Sequence, residues 1–350
     1  MIIKGFVPSG GKHCITSSLK QIFHYNNYPI SEEMLFGIGS GIGFAYINLA
    51  NSPMISGRIK PLELEEKIAK RLNIGIRYKT SKKYEITFEK TKKLIDGNKP
   101  VMVYVDMPYL QYLNLPMDSH FGGHSVVIFG YDESKKLFYV SDRDNSDNPI
   151  RTPKGKISEN YHLVSFDEMK NARSSNFRPF PANNKYLEFD FGDIQSVTKN
   201  TVYDAIRETC ECMLNPPAQL LGINGIKKFS KELLKWSIFD KNKLKLAGIT
   251  NYFMVSADGG TGGGIFRKMY GDFLIEASEI CENSAMFSCG KEYTEVAVKW
   301  EEIARLFWEL SETADVSILK QISDIAIEIC NKENSLFNDL QKAMKKTEVK

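Results

Sequence analysis

Apolar residues at positions 15, 19, 22 and 23 of "CITSSLKQIF" recur at helical spacing, which predicts an amphipathic helix from about Cys14 onward. Ser31 caps a second helix, with Glu32 and Glu33 in its first turn, where they favour the positive end of the helix. Pro61 opens "PLELEEKIAKRLN", a helix that ends before the short strand "IGIRYKT". A charged helix follows over roughly Tyr84 to Ile95. Then come the strand "VMVYVD", a loop through Pro108 and Pro116, and the strand "HSVVIFGYD". The polar turn "DESKK" joins that strand to "LFYVSD" as a hairpin. Ser165 and Glu168 make a capping box for the helix "SFDEMKNA". Helices first and a largely antiparallel sheet afterwards is α+β order. From about Thr198 the pattern is almost wholly helical, down to a terminal "KAMKKTEVK" expected to fray. The Pro- and Asn-containing stretch Arg178 to Lys185 marks the expected boundary, giving a catalytic domain over 1–180 and a helical domain over 181–350.

Composition changes this picture little. The chain has 350 residues, enough for two domains, and its net charge of +3 is too small to argue for a nucleic-acid partner. No run of 18 apolar residues suggests a membrane span, and "MIIKGFVPSGG" is too short in apolar residues for a signal peptide, which points to the cytoplasm. Six cysteines over this length do not resemble a disulfide scaffold. Cys210 and Cys212 form C-x-C, with no second pair and no histidine at zinc-finger spacing, so no metal is expected.

Candidate chemistry begins at Cys14, the only cysteine before residue 210. Gly10-Gly11 supplies backbone freedom for a sharp turn into the helix, and a thiol at a helix start is favoured as thiolate. His124 opens a strand, and the hairpin register puts its opposite position within one or two residues of Asp142 to Asp144. Asp142 and Asp144 share a face, so either can reach the imidazole. A nucleophilic thiol needs a base, and the base needs an orienting acceptor; Cys14, His124 and the hairpin carboxylate supply those parts. Asp106 closes the preceding strand near the same end of the sheet. It can hold an ammonium, replace Asp142 as orienter, or be a solvated strand end.

Two glycine runs invite other readings. "GIGSGIG" fits no G-x-G-x-x-G register and follows a helix, so close packing against the Cys14 helix explains it better than a nucleotide. "DGGTGGG" lacks the Lys-Ser/Thr of a phosphate loop but leads into a helix carrying Arg267 and Lys268 in its first turn. Gly260, Thr261, Gly262 and Arg267 could bind an anion there, form a hinge, or simply pack.

At these residues the chain resembles a known family. The order Cys, strand-opening His, Asp on the next strand is similar to papain-like folds of the bacteriocin-leader peptidase type. "HCITSSLKQIFHYNNYPISEEMLFGIGSGIGFAY", "GGHSVVIFGYD" and "GGTGGGIFRKMYGDFLIEA" resemble the butirosin-biosynthesis protein H family. That resemblance implies a papain-like domain followed by a helical one. It also implies acyl transfer from an acyl or peptidyl carrier-protein thioester to a small amine, such as a diamine or aminoglycoside, in natural-product assembly. The amide synthase of closthioamide assembly is similar. No cofactor of the chain's own is implied, since phosphopantetheine arrives on the carrier protein; a homo-oligomer is compatible. The same triad would serve a cysteine peptidase or amidase if water took the acyl group. One departure from papain-like proteases is plain: no glutamine precedes Cys14. Backbone amides of "SGGKHC", Cys14 N–H among them, and the His13 or Lys12 side chain are the open candidates for the oxyanion hole.

Overall fold

The computed structural model describes residues 1–48 and 53–348. In chain order it begins with α1 (Cys14–Tyr25), α2 (Glu32–Ile38), β1 (Ile42–Ile47), β2 (Met54–Arg58), α3 (Glu63–Leu72), β3 (Gly75–Lys79) and α4 (Tyr84–Asp96). Next are β4 (Val101–Val105), β5 (His124–Asp132), β6 (Leu137–Ser141), β7 (Ile150–Thr152), β8 (Gly155–Ile157), β9 (His162–Ser165), α5 (Phe166–Ser174) and β10 (Tyr186–Asp190). The remainder is helical: α6 (Lys199–Leu214), α7 (Gly222–Leu233), α8 (Lys241–Val255), α9 (Arg267–Cys281), α10 (Ser284–Thr313) and α11 (Ile318–Glu348). The expected fraying of the last residues falls partly on Val349 and Lys350, outside the described residues. The protein is α+β, as its element order predicts.

Two compact units divide the chain, 1–35 with 72–195, and 36–71 with 196–350. This differs from a contiguous split at 180 in two ways. Strand β10 lies beyond the Pro/Asn stretch yet belongs to the first unit's sheet, and residues 36–71 cluster with the C-terminal helices.

The first unit is built on a six-stranded sheet in the order β3-β10-β4-β5-β6-β9, with every neighbouring pair antiparallel. Successive strand residues point to opposite faces, and here both faces are covered. Ser125 and Ser141 meet α1, through Ser18 (3.3 Å) and Gln21 (2.6 Å). Phe138, of the other parity, packs edge-on against Phe88 of α4 and beside Phe166 of α5. Accordingly β4 is buried at all positions, and α1 sinks Ile15, Leu19, Ile22 and Phe23 completely or nearly so. Val105 pairs with His124, which places the start of β5 at the sheet end from which β4 exits.

In the second unit, β1 and β2 pair antiparallel, and α10 packs on α8, α9 and α11. Residues Tyr293, Trp300 and Phe307 of α10 repeat every seven positions on its buried side, the stripe a core-facing helix needs. Of the "GIGSGIG" glycines, Gly37, Gly41 and Gly43 pack against residues of this unit itself. A side chain at Gly37 would strike the Phe273 ring, and one at Gly43 would meet the backbone of Arg58. Among the described residues no helix is long and apolar enough to cross a membrane, and no cluster of His, Cys, Asp and Glu could hold a metal ion.

Candidate active site

Helix α1 starts at Cys14, and its first turn is capped from outside. The Glu32 carboxylate, contributed by α2, accepts hydrogen bonds from Lys12 N (2.9 and 3.1 Å), His13 N (3.2 Å) and Thr16 Oγ1 (3.0 Å). It thus satisfies donors that the helix start leaves without carbonyl partners. Gly10 and Gly11 make this arrangement possible. Gly10 has φ +54°, and a Cβ on it would lie 2.3 Å from the Asp144 carbonyl oxygen. Gly11 donates its N–H to the Arg143 carbonyl (2.6 Å), and a Cβ on it would collide with the Glu32 carboxylate. The glycine pair therefore lets the chain before Cys14 lie directly against the segment Asp142–Asp144 that leaves β6.

That contact assembles the three expected residues. His124 Nε2 donates to Asp142 Oδ2 at 2.9 Å, and His124 acts on the Cys14 thiol by hydrogen bonding and charge. With Nε2 committed to the carboxylate, Nδ1 is the nitrogen left for the sulfur. Asp142 also accepts from Tyr112 OH (2.8 Å) and Arg143 N (2.6 Å). All three are buried, with exposures of 9%, 3% and 3% for Cys14, His124 and Asp142. Burial disfavours each charge, yet the partners win. Asp142 is held down at about 2, despite burial, by the charge and hydrogen bond of His124 and the bonds from Tyr112 and Arg143. His124 is raised to about 10: burial lowers it, and the Asp142 charge and the hydrogen bonds His124 makes with Asp142 and Cys14 outweigh that. Burial would also raise the Cys14 thiol, but the charge on His13 and hydrogen bonds from His124 and His13 bring it well below its ordinary value. Both shifts run in the direction that favours a thiolate beside an imidazolium. Each of the other cysteines is pushed the opposite way by burial, Cys210 to about 12 and both Cys281 and Cys289 to about 11. Of the six cysteines, Cys14 is the one whose thiol is lowered, and it is the one beside a histidine bonded to a carboxylate.

Residues 13–143 match the family described as butirosin biosynthesis protein H, N-terminal. Over this segment the chain is similar to that family, which supports a butirosin-H-like assignment. The butirosin-H segment opens at His13, one residue before Cys14, and closes at Arg143, one residue after Asp142, so it brackets the whole constellation. Residues 167–340 match a Domain of unknown function (DUF4872). No curated protein matches the sequence.

The other expected site residues have different surroundings. Asp144 accepts from His162 Nε2 (2.9 Å) and Glu159 N (2.8 Å), so it orients a second histidine and not His124. Asp106, fully buried, accepts from Phe121 N (2.7 Å), His120 Nδ1 (2.8 Å) and Ser175 Oγ (2.5 Å). These three donors hold the carboxylate where it ties both ends of the loop that leads into β5. Arg267 is fully buried and forked onto Glu333 (2.8 and 2.9 Å), with its remaining reach spent on the Gly43, Gly57 and Ile265 carbonyls. Its charge is neutralised inside the second unit, so it is no anion receptor. The glycine loop is likewise internally bonded. Glu301 accepts from Ala257 N (3.0 Å) and Gly264 N (2.6 Å), Gly260 N donates to the Ala257 carbonyl (2.9 Å), and Thr261 Oγ1 bonds the Val255 and Ser256 carbonyls (both 3.0 Å). Gly260 and Gly262 have φ of 77° and 67°, a backbone shape that explains glycine there without a ligand.

Sequence reasoning passed over Tyr112, Thr16, Glu32 as the cap of α1, and His162. Tyr112 both donates to Asp142 and stacks on the His162 ring, centroids 3.7 Å apart. Burial and the Asp142 charge push its phenol well above 10, so it stays a donor. No local pattern marks a loop tyrosine for this task. The one available signal was Glu32 and Glu33 following Ser31.

Proposed function

We propose that the chain is a cysteine-dependent acyltransferase that forms an amide. It takes an acyl group from a carrier-protein thioester onto Cys14 and passes it to an amine, a diamine or aminoglycoside, during antibiotic assembly. On this reading the first unit is a papain-like catalytic domain. The observation that carries it is the buried Cys14–His124–Asp142 chain, whose electrostatics favour a thiolate at neutral pH. The match to the butirosin biosynthesis protein H family supports the setting.

In the first half-reaction the Cys14 thiolate attacks the thioester carbon and the departing carrier thiol takes the proton from His124. In the second, neutral His124 accepts the proton of the incoming amine as the amide forms, and Cys14 leaves as thiolate beside the imidazolium. Asp142 keeps the ring oriented and its charge balanced throughout. Thioester exchange is nearly balanced and amide formation is downhill, so neither ATP nor a cofactor of the chain's own is needed in this step.

The test is incubation with acyl-loaded carrier proteins and a panel of amines, reading amide and free acid by mass spectrometry. Amide that depends on Cys14 supports the reading. Free acid at the same rate with and without amine would instead make the protein a hydrolase of the cysteine peptidase or amidase type.

A further inference from the structure

Two histidines of the first unit open strands and meet an aspartate just beyond β6. His124 meets Asp142, and His162, at the start of β9, donates through Nε2 to Asp144 Oδ1 (2.9 Å). Cys14 is the single cysteine of this unit, so the second pair has no thiol to serve. The sheet register sets the pairs side by side: His162 pairs with Val140, two residues before Asp142. Asp144 is buried, and its other oxygen accepts from Glu159 N (2.8 Å), which fixes the carboxylate that holds the His162 ring. Against that ring lies the ring of Tyr112, parallel to within 6° and with centroids 3.7 Å apart.

Tyr112 is held from its own side as well. It lies in the short 3-10 turn Gln111–Leu113, with Leu110 and Leu113 fully buried on either side of it. Gln111 N donates to Glu168 Oε1 in the first turn of α5 (3.2 Å). The phenol oxygen then stands 2.8 Å from Asp142 Oδ2, the same oxygen that accepts from His124 Nε2 at 2.9 Å. Asp142 Oδ1 is occupied by Arg143 N (2.6 Å). With donors on both oxygens, and two on Oδ2, the carboxylate has little freedom to turn, and neither has the imidazole bonded to it. Asp142 and His124 are buried, where water is a poor substitute for a missing donor.

We propose that Tyr112 is a positioning residue for the chemistry at Cys14, its hydroxyl pinning Asp142 and thereby the His124 imidazole, and that the His162–Asp144 pair is the clamp that keeps Tyr112 in place. The assignment rests on the Cys14–His124–Asp142 reading above. Tyr112 acts through Asp142 and neither gains nor loses a proton. His162 acts one step further back, through the flat face it offers to the Tyr112 ring. An ordinary donor would satisfy Asp144 equally well; only an aromatic ring also supports the tyrosine.

Alkylation of Cys14 by iodoacetamide in the full chain at pH 7 reads this role without any acyl group. Wild type, Tyr112→Phe, Asp142→Asn and the double variant form a cycle. Tyr112→Phe keeps the stacked ring and removes only the hydroxyl; it should slow alkylation about two- to tenfold, the equivalent of one net hydrogen bond. In the Asp142→Asn background the same change should have no effect, whereas a tyrosine that merely supports the fold would slow both backgrounds alike. His162→Gln keeps a donor for Asp144 but offers no flat ring. It should slow alkylation by a similar factor, and add nothing when combined with Tyr112→Phe. If His162→Gln does not fold, His162→Phe, which keeps the ring and gives up the donor, should hold the wild-type rate to within about twofold. A wild-type rate in Tyr112→Phe, or equal slowing with and without Asp142, overturns the positioning role. A wild-type rate in His162→Gln, or a slowed His162→Phe, overturns the clamp. A wild-type protein that is alkylated at Cys14 but never acylated there by a carrier thioester overturns the acyl-transfer reading and leaves the role of Tyr112 standing.

Discussion

Replacing Asp142 by asparagine removes a single negative charge from the buried end of the hydrogen-bonded chain. His124 stands at about 10 against an ordinary 6.5, a difference of roughly 5 kcal/mol in favour of the imidazolium. Asp142 is the main source of that gain, working against a burial that by itself lowers the value. Without it the ring is neutral at pH 7, and Cys14 loses the attraction of an imidazolium while keeping that of His13. Because His13 stays in place, the thiol moves only part of the way back toward its ordinary range. In the wild type the thiolate persists as pH falls from 9 through neutrality, whereas in Asp142→Asn a larger share of it is protonated over that interval. Alkylation by iodoacetamide should therefore slow at pH 7 in the variant, by up to about tenfold, and converge with the wild type near pH 9.5. Stopped-flow or quenched mass spectrometry of the Cys14 peptide reads both rates. Equal rates at pH 7 would refute the electrostatic argument. A deficit of the same size at both pH values would show that Asp142 acts only through ring orientation.

Other substitutions follow from the same contacts. Arg267→Met leaves the Glu333 carboxylate buried and unpaired and should cost about 3–5 kcal/mol, with Glu333→Leu added to it recovering most of the loss in urea unfolding. A raised KM with unchanged stability would instead restore Arg267 as a substrate contact. Gly11→Ala displaces Glu32 and uncaps α1, costing about 1–2 kcal/mol, and Gly10→Ala should cost more because its new Cβ meets backbone at positive φ. Thermal melts giving the reverse order would contradict that packing. Asp106→Asn deprives His120 and Ser175 of their shared acceptor and should destabilise by about 1–3 kcal/mol while leaving the ratio of amide to free acid unchanged. A shifted product ratio in a stable variant would mean that Asp106 meets the amine.

Short-range pattern carried the elements that short-range contacts build. The Ile15–Leu19–Ile22–Phe23 stripe, the β5–β6 hairpin and the Ser165–Glu168 capping box all have their determinants within a few residues, and all are present. The hairpin register even limited the partner of His124 to Asp142 or Asp144, and only the three-dimensional contacts separate them. What escaped depended on distant chain. Strand β10 has an unremarkable sequence and becomes an inner strand only because β3 and β4, about a hundred residues earlier, flank it. Asp106 and Arg267 looked available for substrate because charges in isolation do. Ser175 and Glu333, 69 and 66 positions away, consume them. The cap of α1 was missed for a related reason: Glu32 was read as serving its own helix, and it serves the neighbouring one.

The central claim is that Cys14 carries the acyl group on its way to an amine. Mixing the protein with an acyl-loaded carrier protein in the absence of amine, quenching in acid and mapping peptides by mass spectrometry tests it most directly. The account predicts one acyl adduct, on the peptide containing Cys14, that disappears on addition of amine as amide accumulates at the same rate. An adduct on Cys210 or Cys281, or undiminished amide formation by Cys14→Ala, would contradict it.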